Sequence, residues 1–366
     1  MATFAFVGNA TDDASGSGIF SYAVDDESGA LRLRAFKPQT RPHCISLSAT
    51  AARLYAVSYA PSCGGHAGGA VYSYAIEPAT AQLTEINHRV LPFTFPSYIQ
   101  QDRTGRFLFV ACTSGGGVVV LPIDLTGALG KPSSIHAHRG SAMVPLGATR
   151  NPTVVAPGAC QPHAIGADPT NRLVVVPDVG LNRTVLYRFD EVEGRLERTD
   201  ADIVCPPGTG PRHFVFHPHN GFLYVLNQTE SSVSVLDYNA AAGLARVLHT
   251  VRTVPPGFAG RSLSAEIVLS PDGRLMYCTN RGHDSVAVLS IEESWPYAHL
   301  LGCQPTNGTW PCGLGVSLRG GHLFVANRGS GSVVTLRTGG ASGLLEPTGE
   351  SVLVSSPNAV ALRLSD

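Results

Sequence analysis

Two sets of residues could do chemistry in this chain, and both recur at a spacing of about 50 residues. The first set follows a proline that opens an apolar run: His43 after Pro42, Ser97 after Pro96, His163 after Pro162, Arg212 after Pro211, Cys312 after Pro311 and Asn358 after Pro357. One copy lacks the proline and offers Ala265 with Glu266 beside it, and His213 follows Arg212. The second set ends a later apolar run: Asp178, Asn227–Gln228, Asn280–Arg281 and Asn327–Arg328. Only 14% of the chain is charged, so three arginines at such positions stand out. A guanidinium fork holds a carboxylate or phosphate and stabilises an oxyanion, while an imidazole moves protons near neutral pH. The expected ligand is a small anion, met by His163, Arg212, Gln228, Glu266 and Arg281. His43, Ser97, Asp178, His213, Asn227, Asn280, Asn327, Arg328 and Asn358 would line the rest. Neither a metal nor a cofactor is implied.

These residues need a scaffold that brings distant segments to one place. The clearest copy of it is Pro211–Tyr238, PRHFVFHPHNGFLYVLNQTESSVSVLDY. It holds three short apolar runs separated by an Asn-Gly turn and a polar Gln-Thr-Glu-Ser-Ser link, which is a β-meander. Copies lie at 162–190, 263–291 and 311–337, and further ones begin RPHCISLS (residues 41–48) and FPSYIQQD (residues 95–102). Residues 3–36 supply three strands without a first one, and Ser356–Leu364 matches a first strand with nothing after it. The expected fold is all-β: one seven-bladed β-propeller domain over residues 1–366, each blade a four-stranded antiparallel sheet. Residues 356–364 would close the ring on 3–36 and remove the exposed edges. In such a blade the start of the first strand and the end of the second meet at one mouth of the central channel, so every copy delivers residues there. The opposite ends read Asp-Pro, His-Pro-His-Asn-Gly and Ser-Pro-Asp-Gly, which is ordinary turn chemistry. The Gly-, Pro- and Ala-rich segment 139–161 exits at the same mouth and is a candidate lid.

The bulk properties exclude other classes. With a net charge of −1 and a pI near 6.9, no basic field draws in nucleic acid or an anionic membrane surface. Eight cysteines without a Cys-x-x-Cys pair offer neither a disulfide framework nor zinc spacing. No apolar run reaches membrane-spanning length, and MATFAFVGNA begins a strand without a signal-peptide pattern. The chain is expected in the cytoplasm, as a monomer or weak homo-oligomer, and its four Asn-x-Thr sequons then carry no meaning. His217 and His219 fall at a turn, His136 and His138 read as solvated on an outer strand, and Ser62–Gly69 lacks the lysine of a phosphate loop.

At this point the chain resembles a known family, the seven-bladed propeller lactonases that include propeller-type 6-phosphogluconolactonases and carboxymuconate-lactonizing enzymes. The residues that carry the resemblance are GPRHFVFHP at 210–218, Tyr224–Asn227, Val254–Phe258, Ser264–Ile267 with Ser270–Gly273, and Asn280–Asp284. The resemblance covers nearly the whole chain and implies a metal-free site at the channel mouth. It places the family histidine on His163 and its arginines on Arg212 and Arg281. Its glutamate falls on Gln228, a departure: glutamine exchanges hydrogen bonds but takes no proton at neutral pH.

Three functions follow as expectations. The first is hydrolysis of an anionic sugar-acid lactone, with His163 as general base and an arginine on the oxyanion. The second is an isomerase, cyclase or lyase reaction on a carboxylate-bearing molecule, which Gln228 keeps open. The third is a propeller that binds a ligand or protein without catalysis.

Overall fold

Alternation along single strands explains how the blades pack. In Thr3–Asn9, Phe4 and Phe6 pack against Leu54, Ala56 and Tyr74 of the next blade, while Ala5 and Val7 pack against Phe324 and Val333 of the previous one. Successive side chains of a strand point to opposite faces, so a strand clamped between two neighbouring sheets must be apolar on both. The second strands show this most fully: Phe107–Cys112, FLFVAC, is buried at every residue. Each pair of adjacent blades shares one hydrophobic cluster, and among the described residues the seven clusters run round a closed ring.

The computed structural model describes residues 3–13, 16–138, 160–219, 221–292, 297–339 and 343–364. It is a β-propeller of seven blades, and no helix occurs among those residues. From the channel outward, blade one is Pro357–Leu364, Thr3–Asn9, Gly18–Val24 and Leu31–Pro38. The C-terminal strand pairs antiparallel with the N-terminal one, Thr3 opposite Leu364 and Gly8 opposite Ala359. Blade two runs Pro42–Leu47, Arg53–Ser58, Ala70–Ile76 and Leu83–Val90; blade three runs Pro96–Gln101, Phe107–Cys112, Gly117–Pro122 and Ser134–Ala137. Blades five, six and seven open with Pro211–Phe216, Leu263–Leu269 and Pro311–Val316, followed by Phe222–Asn227, Leu275–Arg281 and His322–Asn327.

Blade four departs from regularity. Its first strand shrinks to Gly166–Ala167, helped by a lone bridge between Pro162 and Asp178, and its outer strand splits into Arg195–Arg198 and Ile203–Val204. The Gly-rich segment 62–69 is a small hairpin, Ser62–Cys63 paired with His66–Ala67. Most of the candidate lid, residues 139–159, lies outside the described residues.

Candidate functional site

Two backbone irregularities build the mouth. The residue before the lead proline sits in the left-handed region in five blades: Arg41 (φ 43°), Phe95 (φ 52°), Gly210 (φ 66°), Trp310 (φ 56°) and Ser356 (φ 48°). Four of these are not glycine, and such strained positions gather where a fold must aim something. Just after the proline the register slips, between Pro42 and Ile45, Pro96 and Tyr98, Pro211 and His213, and Pro311 and Gly313; Ser264 to Ile267 does the same. A bulge frees a residue from the ladder and re-aims its side chain. The freed residues include His43, Ser97, Arg212, Ala265 and Cys312.

On one arc of the mouth these side chains tie each blade to the next. Asn358 Nδ2 donates to the His43 carbonyl (2.8 Å), His43 Nδ1 to the Ser97 carbonyl (3.3 Å), and Ser97 Oγ to the His163 carbonyl (3.2 Å). His163 then breaks the chain, because its buried Nδ1 has no partner among the described residues. Burial, and then the positive charges of Arg212, His213, His43 and Arg281, hold its pKa well below the usual histidine value. His43 is likewise held well below by burial, and then by Arg328 and Arg212. It stacks on Tyr59 with ring centroids 4.5 Å apart.

The other arc carries charge. Arg212 Nε donates to the Ala265 carbonyl (3.0 Å) and its Nη1 to Gln228 Oε1 (2.5 Å). Arg281 Nη2 reaches the same oxygen (2.9 Å) while its Nε donates to the Leu263 carbonyl (3.0 Å). Two donors on one atom require the carbonyl oxygen, which fixes the orientation of the Gln228 amide. The Arg281 guanidinium also lies 5.5 Å from the ring centre of Trp310. Burial, and then its neighbour Arg281, push the Arg212 pKa down to about 9, so it remains charged at neutral pH. Arg212 Nη2 and the whole Arg328 guanidinium form no hydrogen bond or ion pair among the described residues.

One layer deeper, His213 Nδ1 meets Glu266 Oε1 at 2.7 Å. A carboxylate only accepts, so Nδ1 carries a proton and donates it to this bond. The His213 ring packs edge-on against Tyr98 (5.0 Å) and beside His163 (5.2 Å). Tyr98, from blade three, and Glu266, from blade six, thus meet around a histidine of blade five.

Several residues expected to face the ligand turn into the blades instead. Asn227 Nδ2 binds the hydroxyls of Ser232 and Ser234. Asn280 is held by Thr253, Ser264 and Ser285, and Asn327 by the Thr306 carbonyl. Asp178 uses both oxygens internally, on His138 Nδ1 (2.6 Å) and on the backbone of Gln161 and Leu181. The reason is the two-residue period of a strand: in each Asn-x pair the first side chain enters the blade and the second faces the mouth. Ser97 and Asn358 are likewise spent on backbone carbonyls. His138 is fully buried rather than solvated, because Asp178 binds it. His217 stays in its turn, with Nε2 on the Gly273 carbonyl and Nδ1 accepting from the His219 amide.

Tyr59 and Trp310 belong to the mouth and were not singled out by sequence. A signal existed: Tyr59 follows Ser58 as Gln228 follows Asn227, with its amide on Arg41 as that of Gln228 is on Gly210, and Trp310 directly precedes a lead proline.

A family model described as "Lactonase, 7-bladed beta-propeller" matches residues 4–362. The 6-phosphogluconolactonase of Bacillus subtilis (strain 168) is 29% identical over 356 residues, covering 97% of each chain. That of Pectobacterium atrosepticum is 30% identical over 297 residues, covering 81% of this chain and 82% of its own. Among solved structures, a periplasmic gluconolactonase of Pseudomonas aeruginosa superposes over all of both chains with a TM-score of 0.89 at 25% identity.

Proposed function

The chain belongs to the seven-bladed β-propeller lactonase family, and from that premise we propose that it hydrolyses an anionic sugar-acid lactone, of the 6-phosphogluconolactone kind, at the mouth of its channel. The relatives' names support the reaction class. The observation that carries the site is the convergence of Arg212 and Arg281 on Gln228 Oε1, at 2.5 and 2.9 Å, above the His213–Glu266 pair.

The steps follow from which atoms are free. Water attacks the ring carbonyl carbon and gives its proton to His213 Nε2. Glu266 holds the imidazolium that forms, as an orienting carboxylate does. The carbonyl oxygen becomes an oxyanion beside the free Arg212 Nη2, where a fixed charge is worth most. Collapse breaks the ring C–O bond, and His213 returns the proton to the leaving ring oxygen. The new carboxylic acid then ionises and releases one proton to solvent. In this scheme His213 replaces His163 as general base. His163, hemmed in by cations, is a poor proton acceptor and serves a sugar hydroxyl by hydrogen bonding.

A pH-stat assay with 6-phosphogluconolactone tests this. Acid release should exceed the spontaneous rate, and Arg212→Met should cut kcat about 10²–10³-fold. Wild-type release at the background rate contradicts the proposal. Mass spectrometry of the product separates hydrolysis, with gain of one water, from isomerisation, with no gain. All eight cysteines are free, which suits a reducing compartment and makes the cytoplasm the proposed location; cell fractionation checks it.

A further inference from the structure

We infer that Trp310 is a positioning residue: its ring fixes the Arg281 guanidinium against Gln228, and Asp284 fixes Trp310 in turn. Neither residue has to touch the substrate to do this. The kinetic part of the test rests on the lactonase reading of the same site.

The Arg281 side chain is 2% exposed, so water does little to solvate its charge, and burial is what most lowers its pKa. Two carbonyl oxygens bind it edge-on: that of Leu263 takes Nε (3.0 Å) and that of the Gln228 amide takes Nη2 (2.9 Å). Its face is left to the half-buried Trp310, whose ring centre lies 5.5 Å away. The negative face of an indole attracts a guanidinium and stands in for the missing water. The ring also blocks the direction in which the side chain would swing off Gln228.

Trp310 is itself held in an unusual backbone state. The residue before a proline is ordinarily extended, yet Trp310 precedes Pro311 with φ 56°. Asp284 is the clasp. Its Oδ1 accepts the amides of Gly282 (3.0 Å) and Trp310 (2.8 Å), and its own carbonyl accepts the Thr306 amide (3.0 Å) and hydroxyl (3.1 Å). From the other side, the Trp310 carbonyl accepts the Arg328 amide (3.1 Å). Gly329 leaves the room: a Cβ there would come within 2.6 Å of Thr309 Oγ1 and 3.0 Å of the Trp310 Cβ. Asp284 thus reaches Arg281 through Trp310, from the turn just beyond Arg281 itself.

A double-mutant cycle on kcat/KM in the pH-stat assay tests the inference. Trp310→Leu, which keeps bulk without a π face, should lose about tenfold, whereas Trp310→Phe should stay within about threefold of wild type. In the Arg281→Met background, Trp310→Leu should change kcat/KM by less than about twofold, because its route of action is gone. Asp284→Ala should behave like Trp310→Leu in both backgrounds, and Asp284→Asn, whose oxygen still accepts and which tolerates a left-handed backbone, should stay within about threefold. Thermal melts confirm that each variant folds. Equal losses in Trp310→Leu and Trp310→Phe, or a Trp310→Leu loss undiminished beside Arg281→Met, overturn the inference. Failure of the lactonase reading looks different: wild type hydrolyses no lactone, and the same cycle is then read on denaturant unfolding. There Trp310 and Arg281 should still couple by at least about threefold in the unfolding constant, and additive effects overturn the inference.

Discussion

The two arcs of the channel mouth are built by the same repeat and do opposite things. From blade one to blade three, Asn358, His43 and Ser97 each spend a side-chain donor on a carbonyl of the next blade. From blade four to blade seven, His163, Arg212 and Arg328 retain polar atoms without a partner among the described residues, and Arg212 and Arg281 share the Gln228 oxygen. The backbone device of a left-handed residue, a lead proline and a bulge occurs on both arcs, complete in blades two and three on one and in blades five and seven on the other. What differs is that blade five places an arginine, Arg212, where blades two and three place His43 and Ser97, and that Arg281 and Arg328 join it from the ends of second strands. A short hydroxyl or amide reaches only the adjacent strand and becomes a seam. An arginine reaches past the seam with its Nε spent on it, as on Ala265, and still presents further donors. A propeller can thus keep one half of its mouth as seams and gather donors on the other by using both columns, the first-strand bulge and the end of the second strand.

Substitutions on the two arcs should break this comparison if it is wrong. The largest effect is expected at Glu266→Gln, which removes the charge that holds the His213 imidazolium; kcat should fall about 10²–10⁴-fold in the pH-stat assay. Arg281→Met comes next, at about 10²-fold in kcat/KM, with binding of 6-phosphogluconate weakened in parallel. His163→Asn should cost about tenfold in kcat/KM, the scale of one lost hydrogen bond to substrate. On the structural arc, Ser97→Ala and Asn358→Ala should each lose about 1 kcal/mol of stability in denaturant melts while kcat changes by less than about threefold, since neither side chain holds ligand. Equal kinetic damage on both arcs would remove the distinction.

The smallest effect concerns pH. His43 and His163 have folded pKa values held below the unfolded one by burial. Below about pH 6.5 the unfolded chain takes up protons that the native state resists, so stability is full above about 6.5 and declines as pH falls toward the folded values. The Tm should drop over that acid window, and the drop should be shallower in His43→Gln and His163→Asn. A Tm that rises on acidification contradicts the sign.

The apolar runs made the architecture legible, because a strand clamped between blades cannot hide its alternation. The columns of chemical residues were legible too, and for the same reason: the repeat aligns them. Which member of a column faces the ligand was not. Asn227 and Gln228 look alike in sequence, yet one enters the blade and the other bridges two arginines. Polarity serves internal hydrogen bonds and ligand binding equally, so Asp178, Asn280 and Asn327 read as site residues and instead bind the segments that lead in from the preceding blade, at His138, Thr253 and Thr306. His138 was misread because its partner, Asp178, lies 40 residues away. Tyr59 and Trp310 were passed over because an aromatic beside a strand reads as core. The bulges that free Arg212 and its counterparts are backbone events, and their only trace in sequence is the lead proline.

The most direct test of the central claim is a crystal structure with 6-phosphogluconate bound. The phosphate and carboxylate should lie about 3 Å from guanidinium nitrogens of Arg212, Arg281 or Arg328, with the Asn358–His43–Ser97 hydrogen bonds unchanged. A ligand seated against Asn358, His43 and Ser97, with those seams opened and the arginines untouched, would contradict the account.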